Sequence, residues 1–217
     1  MIPVREKREL MLHRTVPVMI QGTPNYDVSF VVDTIQKRIP RQLVSGLDYV
    51  LVSDSDYMKD RDVDALYADG IIYMSPEMQD QDEAILSVVH EIAHLVEEQH
   101  PQIYEDQTIE TEFLGKRNKL RHLFDAHDIK TSHQDFLNAE YSEKFDDYLY
   151  LSVGYPVVRT IASGLFMSPY AATSVREYFA DAVEEYFMRD PSYVKLVSPA
   201  VYFKIEELLD ALGEKFL

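Results

Sequence analysis

The hydrophobic positions in the first part of the chain form short apolar runs separated by one helical stripe. Residues 16–20 and 47–53 are β-prone runs, and residues 28–39 between them carry apolar side chains near helical spacing. A third run, Gly70-Ile71-Ile72-Tyr73-Met74, is bounded by turn-forming residues. The pattern predicts strand, helix and strand, followed by a further strand at a sheet edge.

The clearest helix is predicted over residues 82–99. Its apolar side chains recur at intervals of three and four, Asp80 or Asp82 can cap its start, and Pro101 follows its end. This segment is therefore the best-defined element of the chain.

The remainder is predicted to be helical. Amphipathic segments cover residues 109–124 and 136–151, another helix starts at Thr173 or Ser174, and a last one follows Ser198-Pro199. The pattern predicts a single α+β domain over residues 1–217. Its parts are a small mixed sheet with one long helix (1–100), a helical middle (101–150) and a helical end (151–217).

Composition narrows the function classes. The 217 residues are 46% hydrophobic and 27% charged, which is typical of a folded globular protein. A net charge of -17 disfavours binding to nucleic acid or to an anionic membrane and favours neutral or basic partners. The absence of cysteine means that any metal site must use histidine and carboxylate ligands.

The sequence also bears on location. The first residues are charged, with no apolar leader, and no run reaches the 18 to 20 apolar residues of a membrane span. We predict a cytoplasmic protein, although export without a cleaved leader is compatible with this sequence. The oligomeric state is not predicted.

The candidate chemistry lies on the clearest helix. His90-Glu91-Ile92-Ala93-His94 is an HExxH sequence. Its two histidines are one helical turn apart, so both imidazoles can bind one tetrahedral zinc ion, with Glu91 beside them as general base. The other interpretation is a solvated helix face with two ordinary histidines.

A hydrolytic zinc site needs one more protein ligand and an open position for water. Glu177 and Asp181 are spaced i and i+4 on the polar side of an otherwise apolar helix. One of them could bind zinc, and the other could accept the remaining N–H of a zinc-bound imidazole. Ser174 followed by Glu177 is also a capping-box pattern, in which Glu177 only stabilises the helix start, and these residues alone leave both interpretations open.

A family resemblance bears on that choice. The HExxH helix together with the segment from Ser168 to Ala182, SPYAATSVREYFADA, resembles the anthrax lethal factor type of zinc metallopeptidases, which also includes the bacterial Pro-Pro endopeptidases. The resemblance implies a zincin-like fold with one Zn²⁺ per chain bound by His90, His94 and Glu177. It also implies a second-shell carboxylate at Asp181 and a tyrosine facing the zinc at Tyr170. The interval from His94 to Glu177 is longer than this family leads us to expect, so residues 101–150 are interpreted as an insertion.

Two function classes follow. The favoured one is a zinc metalloendopeptidase that cleaves a protein or peptide substrate, with Glu91 as base and Tyr170 as donor to the developing oxyanion. The alternative is a zinc-containing regulatory or structural protein with little turnover. An extended substrate could add to the predicted edge strand, residues 70–74, although an edge covered by a loop is equally compatible. The acidic residues between Asp54 and Glu83 could favour basic substrates, or form only a solvated surface.

Overall fold

The computed structural model describes residues 10–55, 58, 63–132 and 134–214. The chain divides into two compact units, residues 1–99 and residues 100–217. The boundary falls directly after the HExxH helix, close to the end of the predicted sheet-containing part. Part of the acidic segment between residues 54 and 64, predicted as a loop, lies outside the described residues.

The first unit is built on a mixed five-stranded sheet. Its order is β1, β2, β3, β5, β4, in which β2, β3 and β5 are parallel and the two outer strands are antiparallel to their neighbours. The strands are β1 (Leu10–Leu12), β2 (Val16–Ile20), β3 (Tyr49–Val52), β4 (Ala65–Ala68) and β5 (Ile71–Met74).

Two helices of the first unit have clear sequence causes. Helix α1 (Val28–Arg38) starts at Asp27, whose side chain accepts the N–H groups of the first turn, and it connects β2 to β3. Helix α2 (Gln81–Gln99) carries the HExxH sequence and packs against α1, β4 and β5. Of the two predicted caps, Asp80 is the one that accepts the N–H of Glu83, at 2.9 Å.

The prediction that residues 70–74 form the edge strand is wrong. Ile71, Ile72, Tyr73 and Met74 form β5, which pairs with β3 on one side and with β4 on the other. Asp69 and Gly70 both have positive φ (49° and 80°) and form the two-residue turn of a tight hairpin that places β4 beyond β5. The edge strand before the HExxH helix is therefore β4. An Asp-Gly turn is a strong hairpin signal that the sequence analysis used only as a strand boundary.

The second unit is helical in its described part. A short 3₁₀ helix (Pro101–Tyr104) precedes α3 (Thr108–Ala126), and a second 3₁₀ helix (Tyr170–Ala172) precedes α6 (Val175–Met188). No helix among the described residues combines the length and the apolar character needed to span a membrane. The other α-helices are α4 (Glu143–Asp147), α5 (Tyr155–Ile161), α7 (Pro191–Val197) and α8 (Pro199–Ala211).

Helix α3 belongs to the core of this unit although it lies in the segment interpreted as an insertion. The Phe113 ring is 5.6 Å from the Tyr178 ring and 6.2 Å from the Phe166 ring, measured between centroids. The Tyr178 hydroxyl donates to Glu112 Oε1 at 2.7 Å. The first half of residues 101–150 therefore supports α6 directly.

The predicted helix over residues 136–151 is only partly correct. Helix α4 starts at Glu143, and residues 148–153 continue it as a π-helical segment. The aromatic residues 136, 145 and 148 pack together, with ring centroids 5.1 Å apart for Phe136 and Phe145. The apolar pattern there reflects this cluster and not one continuous helix.

Candidate metal centre

The two histidines of the HExxH sequence lie on the same face of α2. His90 and His94 are half-buried, and their ring centroids are 4.9 Å apart with an interplanar angle of 80°. Each imidazole can offer one nitrogen to a common ion, because residues i and i+4 lie on the same face of a helix, one turn apart. The helix could thus supply two ligands to one metal ion without any change of backbone.

Glu97 orients His94. Its Oε2 lies 2.7 Å from His94 Nδ1, and its side chain is 4% exposed. A carboxylate on Nδ1 fixes the imidazole tautomer and leaves Nε2 for a metal ion. From sequence, the carboxylate that orients a histidine ligand is predicted to be Asp181; Glu97 is not predicted, although its i, i+3 spacing from His94 on one helix indicates the contact.

Glu91 is buried on α2 beside the edge strand. Its relative exposure is 7%, and its Oε2 accepts the backbone N–H of Tyr67 in β4 at 2.6 Å. A buried carboxylate without hydrogen bonds would cost several kcal/mol, and this bond meets part of that need. The predicted base is therefore held at a defined position.

Three carboxylates lie along one face of α6. Glu177, Asp181 and Glu184 are spaced i, i+4 and i+7. Ser174 caps the helix, because its Oγ accepts the backbone N–H of Glu177 at 3.2 Å. The capping bond uses the main chain of Glu177, so the cap and a ligand role for the carboxylate are compatible.

Asp181 is tied to the segment that carries Tyr170. Ser168 Oγ donates to Asp181 Oδ2, and Ser168 Oγ also accepts the N–H of Ala171 at 3.1 Å. Tyr170 is half-buried in the 3₁₀ helix, and its C=O accepts the hydroxyl of Thr173 at 2.8 Å. These bonds fix the backbone around Tyr170 relative to α6.

Two further tyrosines share one carboxylate in this unit. Asp146 accepts the hydroxyl of Tyr141 at 3.0 Å and that of Tyr155 at 2.5 Å. Burial, together with the bond to Asp146, raises the pKa of Tyr141 to about 12 and raises that of Tyr155 further. The electrostatic influence of Glu177 on Tyr141 and of Tyr170 on Tyr155 adds to both pKa shifts. The pattern of the sequence does not indicate this cluster.

The three predicted ligands form a group of side chains that could hold a metal ion. One ligand atom each from His90, His94 and Glu177 lies within 4.8 Å of the other two. In a second group, the ligand atoms of His90, Asp181 and Glu184 also lie within 4.8 Å of one another. The first group is a His₂Glu set, which is a known ligand set of hydrolytic zinc sites, whereas the second offers one histidine and two carboxylates. The donor set therefore fits a zinc ion best at His90, His94 and Glu177.

Comparisons with known proteins give no further support for the candidate metal centre. Neither the models of known protein families, nor the curated proteins, nor the solved structures contain a match to the chain. The resemblance to the lethal factor type of metallopeptidases therefore stays a prediction.

The acidic segment lines part of a cleft in the first unit. The cleft has a volume of about 860 Å³ and lies where β2, β3 and β5 end. Asp54, Asp64 and Glu77 line it together with serine and threonine side chains. Asp64 directly precedes β4, so the acidic lining reaches the start of the edge strand.

Proposed function

We propose that the protein is a zinc-dependent metalloendopeptidase with a zincin-like fold. The observation that carries the proposal is the convergence of His90, His94 and Glu177 ligand atoms within 4.8 Å. A buried carboxylate, Glu91, adjoins the first of these ligands. A purely structural zinc site needs neither a base nor an open coordination position, and this combination favours catalysis.

The chain's own groups divide the work. When bound, zinc supplies Lewis-acid polarisation of the scissile carbonyl and acidifies a water molecule. Glu91 takes the proton from the attacking water and delivers it to the leaving amine. Tyr170 donates a hydrogen bond to the oxyanion, an interaction that strengthens in the transition state and so lowers the barrier. Glu97 orients the imidazole of His94, and Asp181 binds Ser168 in the segment that carries Tyr170.

The substrate is a protein or peptide in extended conformation. Strand β4 is the sheet edge nearest the HExxH helix, and an extended peptide can add to such an edge through main-chain hydrogen bonds. The acidic cleft beside the start of β4, with the net charge of -17, favours basic residues in the substrate.

A peptide library tests the proposal. The zinc-loaded protein and its Glu91→Gln variant are incubated with diverse peptides, and the products are sequenced by mass spectrometry. We expect cleavage by the wild type alone, because the variant retains all three metal ligands and lacks the base. Cleavage by both proteins would show that Glu91 is not the base.

Zinc content completes the test. If both proteins bind one zinc ion per chain and neither cleaves any peptide, the regulatory or structural alternative replaces the enzyme. If the wild type binds no zinc, the ligand assignment fails.

A further inference from the structure

The hydrogen-bonding direction of β4 follows from its register with β5. Ser75 donates its N–H to the C=O of Asp64 at 2.7 Å, which makes residues 64 and 75 a hydrogen-bonded pair. Hydrogen-bonded and non-hydrogen-bonded pairs alternate along an antiparallel ladder. Ala65 and Tyr67, which face Met74 and Ile72, are therefore in non-hydrogen-bonded pairs. Their N–H and C=O groups point away from β5, toward the outer edge.

Tyr67 contacts α2 at two points. Its outward N–H donates to Glu91 Oε2 at 2.6 Å. Its hydroxyl bonds to Glu98, and that bond, after burial, contributes to raising the pKa of Tyr67 to about 12. Glu91 and Glu98 are separated by two helical turns, about 10 Å along the axis. One strand residue thus spans two turns of the HExxH helix.

Glu91 needs a donor from outside its helix. In the middle of α2 the backbone N–H groups are used in the helical ladder, so they cannot bind a side chain. A glutamate side chain also has three rotatable torsions, which leaves its carboxylate free to adopt several positions. A donor on a strand that is paired along its length removes much of that freedom.

We propose that Tyr67 is a positioning residue, whose backbone N–H holds the Glu91 carboxylate in the geometry that proton transfer requires. This inference rests on the proposed function, because it concerns the same base. It also divides the edge strand by role. The N–H of Tyr67 serves the enzyme, while the outward N–H and C=O of Ala65 are left to pair with an extended peptide.

Proline and alanine at the same position isolate the N–H. Tyr67→Ala removes the ring and the bond to Glu98 but keeps the N–H, whereas Tyr67→Pro removes the N–H as well. Proline is tolerated on an edge strand where its N–H would point outward. We expect kcat of Tyr67→Pro to be about 10- to 100-fold below that of Tyr67→Ala, with little difference in KM. Equal kcat values for the two variants would overturn the proposal.

Ala65→Pro controls for damage to the strand. It places proline in the same strand, again at an outward N–H, without touching Glu91. Because Ala65 is assigned to substrate pairing, we expect Ala65→Pro to raise KM, and to lower kcat far less than Tyr67→Pro does. A fall in kcat as large as that of Tyr67→Pro would show that strand distortion, and not the N–H, is responsible.

A structural readout separates this inference from the proposed function. A short N–H bond to a carboxylate moves the amide proton downfield in an NMR spectrum. We expect the Tyr67 amide proton to be downfield in the wild type and to move upfield in Glu91→Ala. If no peptide is cleaved but this shift is seen, the contact exists and the proposed function fails. If peptides are cleaved and the shift is absent, the positioning role fails alone.

Discussion

The two helices that carry the candidate ligands differ in where their support originates. On α2, His94 is oriented by Glu97, three residues away, and Glu91 by Tyr67, 24 residues away. The segment that leads into α6 depends on Arg117 of α3, which donates to the carbonyls of Ala172 (3.0 Å) and Thr173 (3.2 Å), at least 55 residues away. The support of His94 is therefore local, whereas that of Glu91 and of the segment before α6 comes through tertiary contacts.

The chemistry of that support also differs in sign. Near α2 the buried charges are carboxylates, Glu91 and Glu97, which accept from an N–H or pair with an imidazole. Near α6 the buried charges include Asp181 on the helix itself, but the support of the preceding segment comes from the cations Lys116 and Arg117, which donate to backbone carbonyls. On the HExxH face, carboxylates accept hydrogen bonds from an N–H group or contact an imidazole. In the loop before α6, a cationic side chain donates to main-chain carbonyls. Four predictions test this contrast.

The largest effect is expected for the metal ligands themselves. His94→Ala and Glu177→Ala should each lower zinc affinity by roughly 1,000-fold, because each removes one of three protein ligands. Titration against a chelator of known affinity measures the loss. Ser174→Ala is the matched control, since it removes the cap of α6 and should reduce stability by about 1 kcal/mol without changing zinc affinity.

This first experiment also tests whether α6 supplies a zinc ligand through Glu177, as α2 does through His94. If Glu177→Ala retains wild-type zinc affinity while His94→Ala loses it, Glu177 serves only as part of the helix start. The candidate ligand on α6 would then be Asp181 or Glu184, which form the second group with His90.

The next largest effect concerns the tertiary support of α6. Arg117 is 1% exposed and also donates to the carbonyl of Asp135 at 2.6 Å. Arg117→Met keeps much of the volume but leaves three carbonyls without their donor. We expect the free energy of unfolding to fall by about 3 kcal/mol, since relief of the buried charge offsets part of the loss. Urea denaturation measures it.

Arg117→Lys refines this second prediction. Lysine keeps the charge, but its ammonium cannot reproduce the planar fork that reaches several carbonyls, so an intermediate loss is expected. A loss for Arg117→Met no larger than that of an exposed substitution, below about 0.5 kcal/mol, would show that the loop before α6 is held by other contacts.

The same contrast explains how much the sequence predicts. Helix α2 and its cap at Asp80, one of the two predicted caps, follow from residues close in the chain and are confirmed. The same holds for the placement of His90 and His94 on one helix face, with ring centroids 4.9 Å apart. The start of α6 at Ser174 is likewise local. Periodicity and capping indicate local structure, so these elements can be predicted from the sequence.

Other features depend on residues far apart in sequence. Strand β5 lies inside the sheet because it pairs with β3, well before it in the chain, as well as with β4, which the local Asp69-Gly70 turn places beside it. The contact of Tyr67 with Glu91 requires the hairpin to be placed on α2. Periodicity carries no information on such contacts, and the edge strand was accordingly assigned to the wrong segment.

A smaller effect is expected from the second-shell carboxylate on α2. Glu97→Gln replaces the carboxylate that faces His94 Nδ1 with a neutral amide. This change should lower zinc affinity by about 10- to 100-fold. Glu98→Gln is the matched control, because Glu98 is the next residue, is exposed and bonds to Tyr67 instead of His94. Equal zinc affinities for the two variants would show that Glu97 does not tune the metal site.

The smallest effect is a pH dependence caused by the buried cation of α3. Burial lowers the pKa of Lys116 from 10.5 to about 8. In the unfolded chain Lys116 keeps its proton up to about pH 10.5, whereas in the folded protein it loses the proton near pH 8. Between these pH values the unfolded state therefore binds more protons than the folded state. The contribution of Lys116 to the free energy of unfolding therefore rises with pH in this window, by at most about 1.4 kcal/mol per pH unit.

Paired denaturation curves from pH 7 to pH 9.5 isolate this contribution. The stability of the wild type minus that of Lys116→Met should rise above pH 8, whereas the same difference for Lys37→Met, at an exposed lysine of α1, should stay flat. The neutral amine retains two hydrogens, which is enough for its bonds to the carbonyls of Leu165 and Val197. Those bonds therefore survive deprotonation, and only the cost of burying a charge disappears. A flat difference for Lys116→Met would mean that this lysine stays protonated in the fold, with the two carbonyls compensating for its burial.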